Sequence, residues 1–161
     1  MSLNSIPLTL TDIPVGKTVT VKVPASSANL GPGYDTLGLA LGFYDELRVE
    51  RISEGLEFEL SGEGSEAVPR DETHLVIQAM RSTFEKVGLH DFPDLRLTAH
   101  NRIPHSRGMG SSASAIVAGV AAASGLLPGH AQLSRDQILQ VASDLEGHPD
   151  NVAPSVYGSL S

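Results

Sequence analysis

The stretch Phe43-Tyr-Asp-Glu-Leu-Arg-Val-Glu-Arg-Ile52-Ser-Glu-Gly-Leu56-Glu-Phe-Glu-Leu-Ser61 sets the character of the chain. Residues 43–52 and 56–61 both read as strands. Glu54-Gly55 between them suggests a hairpin. In the second run Leu56, Phe58 and Leu60 alternate with Glu57, Glu59 and Ser61, which is the period of a half-buried strand. Upstream, Val19, Val21 and Val23 alternate with Thr18, Thr20 and Lys22, and Pro24 is expected to close that strand. Downstream, Val76, Met80, Thr83 and Val87 recur at helical spacing over residues 74–87, with Gly88 placed to end the helix. Residues 95–99 form a short strand, and residues 111–124 an Ala-rich helix ended by Gly125. The small side chains of that helix allow close packing. A last helix starts at a capping box, Ser134 with Gln137, and carries Ile138, Val141, Ala142 and Leu145 on one stripe. Gly147 and Pro149 stop it. The order predicts an α+β sandwich, a mostly antiparallel sheet with helices on one face.

The 161 residues are about one domain's worth of chain, enough to bury a core. Eleven basic residues face nineteen acidic ones, for a net charge of -8. Ten of the acids lie between Asp45 and Glu72, mostly as the wet face of a sheet. Such a surface repels polyphosphate backbones, which argues against a nucleic-acid partner and against an RNA-binding sandwich. The absence of cysteine excludes disulfides, thiol catalysis and thiolate metal sites. No apolar run approaches the roughly 18 residues of a membrane span, and no secretory signal opens the chain. A soluble, cytoplasmic protein is the expectation. The last residues, Val156 to Ser161, read as strand-like and suggest a cut inside a longer protein. A cut piece would expose an apolar face and form a homodimer through it.

Three segments carry chemistry. In Pro104-His105-Ser106-Arg107-Gly108-Met109-Gly110-Ser111-Ser112-Ala113-Ser114, two glycines allow close backbone approach, and a helix then begins. N–H groups and the dipole at a helix start attract phosphate. No Lys-Ser/Thr pair follows the glycines, so this is not a Walker loop. Arg107 is its one cation, and charge neutralisation falls on amides, the helix end and a divalent metal. The structural alternative is a plain glycine turn. The second segment, residues 24–38, is a Gly/Pro-rich loop leaving a strand. Its Asn29 and Asp35 suit an ammonium or hydroxyl group, or else satisfy local turns. The third, Glu146-Gly-His148-Pro-Asp150-Asn151-Val-Ala-Pro154, follows a helix end. Glu146 and Ser112 are hard oxygen donors of the kind Mg²⁺ takes alongside substrate phosphates. The alternative is a polar loop in which Asp150 and Asn151 cap a turn. His74, His90, His100 and His130 are scattered and read as surface or partly buried.

These segments, in this order, resemble the homoserine kinases of the GHMP small-molecule kinase superfamily. Pro-Ala-Ser-Ser-Ala-Asn-Leu-Gly-Pro-Gly-Tyr-Asp, residues 24–35, and Glu-Gly-His-Pro-Asp-Asn-Val-Ala-Pro, residues 146–154, carry the likeness, which runs over residues 19–160. It implies a GHMP-kinase N-terminal, ATP-binding domain over residues 1–161, a second domain lying beyond them, and transfer of phosphate from ATP to the hydroxyl of L-homoserine in threonine synthesis. It implies that residues 104–114 hold the ATP phosphates and that Ser112 and Glu146 bind Mg²⁺. Asn29, Asp35 and His148 are then in the homoserine pocket, and Asp150 and Asn151 at the reacting hydroxyl. Another GHMP kinase acting on a different alcohol, or a non-catalytic nucleotide-binding module, remains open at this point.

Overall fold

The computed structural model describes residues 7–28, 38–103, 111–147 and 152–157. Four strands form one sheet: β1 (Thr18–Ala28), β2 (Gly38–Arg51), β3 (Leu56–Gly62) and β4 (Leu95–Asn101). Their spatial order is β1-β2-β4-β3. The β1–β2 and β2–β4 pairs are antiparallel, and β3–β4 is parallel. The α-helices among the described residues are α1 (Leu75–Lys86), α2 (Ser111–Leu126), α3 (Arg135–Glu146) and α4 (Val152–Tyr157), with short 3-10 helices at Leu10–Asp12 and Gly129–Ala131.

The expected hairpin between the second and third strands does not form. The chain does reverse at Ser53–Gly55, with Gly55 at φ +90°. The turn's backbone, however, bonds to the start of β4: Ile52 N–H donates to the Asp94 carbonyl at 3.0 Å, and Leu95 N–H to the Gly55 carbonyl at 3.1 Å. Helix α1 carries the chain back from β3, so β4 runs parallel to β3 in the slot between it and β2. A β-helix-β crossover makes parallel neighbours, which no local turn signal reports.

The alternation in β1 is as read, with Thr18, Thr20 and Lys22 exposed and Val23 buried. Pro24 does not close the strand. The ladder shifts register between Pro24 and Ser26 and continues to Ala28. An edge strand with a bulge tolerates a residue that lacks an N–H, and β1 is an edge. The opposite surface of the sheet is charged, with Arg96 Nε on Glu57 at 2.8 Å.

Inside, Val49, Leu95 and Leu97 of the sheet meet Ile77, Met80 and Phe84 of α1 and Val120 and Ala123 of α2, all essentially inaccessible. Helix α2 packs as closely as its composition predicts. A Cβ on Gly119 would lie 2.7 Å from the Val76 carbonyl oxygen of α1. Gly125 does not end this helix but lies within it, where a Cβ would come 2.6 Å from Val19 of β1. Helix α3 begins at Ser134, whose hydroxyl accepts from Gln137 N–H at 3.2 Å while Gln137 Oε1 accepts from Ser134 N–H at 2.8 Å. On its apolar stripe Val141 and Ala142 are buried, but Leu145 is 38 % exposed. Val156 and Tyr157, expected in a strand, close helix α4. A short apolar run carries too little periodicity to separate the two forms.

Candidate functional site

The start of α2 follows the glycine-rich segment, and its first N–H groups have no partner within the helix. Ser111 and Ser112 stand in this first turn. The Ser112 hydroxyl donates to Glu146 Oε2 at 3.0 Å. Glu146 is the last residue of α3. A carboxylate is disfavoured at the C-terminus of its own helix and favoured at the N-terminus of another. Its place beside α2 therefore offsets the first effect with the second. Two oxygen donors 34 residues apart in sequence are thereby brought together.

A cavity of about 320 Å³ opens beside Ser112. Its walls come from the α2 start (Ser111, Ser112, Ser114), the α1 start (His74, Val76), the turn before α1 (Val68, Pro69, Thr73), the middle of β2 (Asp45, Glu46) and the end of β4 (Asn101). No lysine or arginine is among the described residues that line it. An anion bound here would meet, among the described residues, the amides, hydroxyls and dipole of the α2 start.

Two wall residues were not singled out from the sequence. Asp45 reads there as one acid of a wet cluster. In the fold its Oδ1 accepts from the backbone N–H groups of Arg102 and Ile103, at 2.7 and 2.9 Å. It thus fixes the direction in which the chain leaves β4 for residues 104–110. The pairing of β2 with β4 produces this contact, and no sequence-local signal predicts it. His74 is not a surface or partly buried residue as expected, but is 7 % exposed and caps α1. Its Nδ1 accepts from Val76 N–H at 3.1 Å, so its proton sits on Nε2 in the neutral ring. The ring lies 5.5 Å from that of Phe58. Burial, and secondarily the nearby Arg70, hold its pKa below the usual histidine value, against an opposing pull from Asp71. The sequence reading puts His74 inside the helix, as its first residue, whereas the helix starts at Leu75 and His74 is its cap. His90, His100 and His130 are exposed.

Of the site residues expected from the sequence, Ser111, Ser112, Ala113, Ser114 and Glu146 lie in the described structure. Asn29, Asp35, Pro104, His105, Ser106, Arg107, Gly108, Met109, Gly110, His148, Asp150 and Asn151 lie outside the described residues.

Comparison with known proteins adds to this geometry. Residues 74–159, more than half of the chain, match the GHMP kinases N terminal domain. The chain belongs to the GHMP kinase family. The match takes in α1, β4, α2, α3 and α4, of which α1, β4 and α2 line the cavity. A homoserine kinase of Leifsonia xyli subsp. xyli is 56% identical over 147 residues, covering 91% of this chain and 45% of its own length. One from Corynebacterium glutamicum (strain R) is likewise 56% identical, covering 91% and 47%. The chain thus spans about half the length of these curated relatives. Among solved structures, the homoserine kinase of Cytophaga hutchinsonii superposes with a TM-score of 0.76 at 28% identity, covering 89% of this chain and 47% of its own. Mevalonate kinase of Methanococcus jannaschii shares the fold, with a TM-score of 0.67 at 15% identity over 89% of this chain and 52% of its own. No described helix is long and apolar enough to cross a membrane.

Proposed function

We propose that this chain is the nucleotide-binding part of a homoserine kinase, which transfers the γ-phosphoryl group of ATP to the hydroxyl of L-homoserine. The observation that carries the reading is the contact of Glu146 with Ser112, a residue that lines the cavity. It joins a helix start suited to phosphate with a carboxylate suited to Mg²⁺. The relatives that are 56% identical favour homoserine over other acceptors.

The residues present fit the metal. A hydroxyl and a carboxylate oxygen 3.0 Å apart form part of a hard, all-oxygen donor set, which water and phosphate oxygens would complete. Bound Mg²⁺ would supply charge neutralisation on the transferring phosphoryl group. The chain's own residues then do the positioning. N–H groups at the α2 start bind phosphate oxygens. Asp45 fixes the β4 end from which residues 104–110 depart. Asn29, Asp35 and His148 hold homoserine, and Asn151 orients its hydroxyl. In the transfer the hydroxyl oxygen bonds to the γ-phosphorus. The bond from that phosphorus to the bridging oxygen breaks, and ADP leaves with the electron pair. Asp150 receives the hydroxyl proton. A loose transition state needs little help from a base, so Asp150 is secondary to positioning.

The test is ADP release by the full-length protein with ATP, Mg²⁺ and a panel of small alcohols. Turnover that depends on L-homoserine is the expected result. Dependence on another alcohol, such as mevalonate, would place the chain in a different GHMP kinase. No turnover with any of them would leave only a nucleotide-binding module.

A further inference from the structure

Helix starts are commonly capped by side chains that do not titrate near neutral pH. In α3 that group is the Ser134 hydroxyl. In α1 it is an imidazole. The His74 ring accepts from Val76 N–H through Nδ1, packs on Phe58 of β3 and lines the cavity. The cap holds only while Nδ1 keeps its lone pair. A proton there turns the acceptor into a second donor facing Val76 N–H, and puts a positive charge at the positive end of the helix. A charge buried without a partner is costly, so the protonated ring has to leave its place. That place is the α1 side of the cavity, made by His74, Leu75 and Val76 with Val68, Pro69 and Thr73 of the preceding turn. Cap and cavity wall are one piece of structure.

Few charges act on the ring. Burial first, and then Arg70, disfavour its protonation, while Asp71 favours it. Asp71 is engaged by Thr73 N–H at 2.8 Å, and Glu72 faces Arg81 at 3.8 Å. Strand β2 adds Asp45 and Glu46 to the wall, with Asp45 Oδ1 held by the N–H groups of Arg102 and Ile103. Strand β4 and helix α2 bring only uncharged residues to it among the described residues.

We propose that His74 is a positioning residue for the nucleotide in this cavity: its neutral ring pins the start of α1 as a binding wall, and protonation releases that wall and weakens binding. This rests on the nucleotide reading above and adds to it a dependence on pH. Attraction between a charged ring and the phosphates at the α2 start has the opposite sign, so the direction of the coupling decides between the two.

In the full-length protein without homoserine, calorimetry reads the Kd for ATP with Mg²⁺ at about pH 7.5 and about pH 5. On acidification the Kd is expected to weaken by about three- to tenfold more in the parent than in His74→Asn, which can cap but does not titrate. Titration of the ATP phosphates is common to both proteins and cancels. The second reading is the His74 pKa, followed by NMR of the isotope-labelled imidazole with and without Mg²⁺ and ATP. By reciprocity the ligand should lower it by about half to one pH unit for the same factor. A cap that only stabilises the fold moves neither quantity. Equal pH dependence in parent and variant, or a pKa that the ligand leaves unmoved or raises, would overturn the proposal and leave the nucleotide reading intact. If the variant does not fold, the pKa measurement alone decides. A folded parent that binds no ATP at either pH would remove both.

Discussion

Helices α2 and α3 begin differently. At α3, Ser134 and Gln137 exchange two hydrogen bonds and close the helix end on itself. At α2, Ser112 points its hydroxyl at a carboxylate from another helix, and the Ser114 hydroxyl has no hydrogen-bond partner among the described residues. The first end is finished by four consecutive residues. The second is finished only by distant groups and, in our reading, by a ligand. Helix α1 is intermediate, since its cap is a local imidazole that a proton can disable. The contrast teaches that a helix start closed by its own neighbours belongs to the scaffold, while one left to distant groups keeps room for a ligand of the kind proposed.

Breaking the α2 end should have the largest effect on activity. Glu146→Gln in the full-length protein removes the negative charge beside Ser112 while keeping its shape. Turnover should fall by about a hundredfold, the scale seen when metal-site support is lost, with melting temperature nearly unchanged. An intact rate would remove Glu146 from the site.

Asp45→Ala tests whether the far side of the cavity depends on the same kind of long-range closure. It leaves the N–H groups of Arg102 and Ile103 without their carboxylate, and Ile103 is fully buried. Urea denaturation should show a loss of about 1–3 kcal/mol. Asp45→Asn, which keeps an oxygen acceptor, should recover much of it. Equal losses in both variants would mean that the charge, not the acceptor, is what counts.

At the self-contained end, Ser134→Ala should cost about 1 kcal/mol by the same measurement and leave ATP affinity untouched. A change in affinity would blur the division between scaffold and binding end.

The smallest effect is expected at α1. The His74 pKa is lowered by burial, so the unfolded chain takes up the proton first as the medium is acidified. The stability that neutral His74 contributes is present above the ordinary histidine pKa, near 6.5, and is lost as pH falls toward the lower folded value. Melting temperature should therefore decline across that window. His74→Asn, which can still cap but does not titrate, should flatten the decline. An unchanged slope would assign it to other groups.

The same division governs what could be read from residues alone. The capping box at Ser134, the alternation in β1 and β3 and the apolar face of α1 are set by neighbours within a few positions, and they stand in the fold as read. The Ala-rich helix was legible too, together with its close packing, because a run of small residues is small whatever surrounds it. What was not legible depends on residues far apart. The slot that β4 fills, the burial of His74 against Phe58 and the attachment of Asp45 to the end of β4 all need the sheet order first. Leu145 fits the helical period of α3 and yet is exposed, since periodicity gives a direction and not a neighbour. For the site, Ser112 and Glu146 were chosen for their chemistry as oxygen donors. Their 3.0 Å separation is a result of the packing of α2 on α3.

The interior position of β4 also bears on how the molecule assembles. Strands β2 and β3 can turn about Gly55 early, yet neither has its central partner until residues 95–101 arrive, after α1. Until then the nascent sheet has two raw inner margins facing each other across an unfilled gap, each able to pair with another chain. The step that fills the gap brings distant segments together, and such steps are slow relative to local ones. A chain whose residues 95–101 have not yet docked is thus the molecule at its most adhesive stage, and their insertion is what ends it.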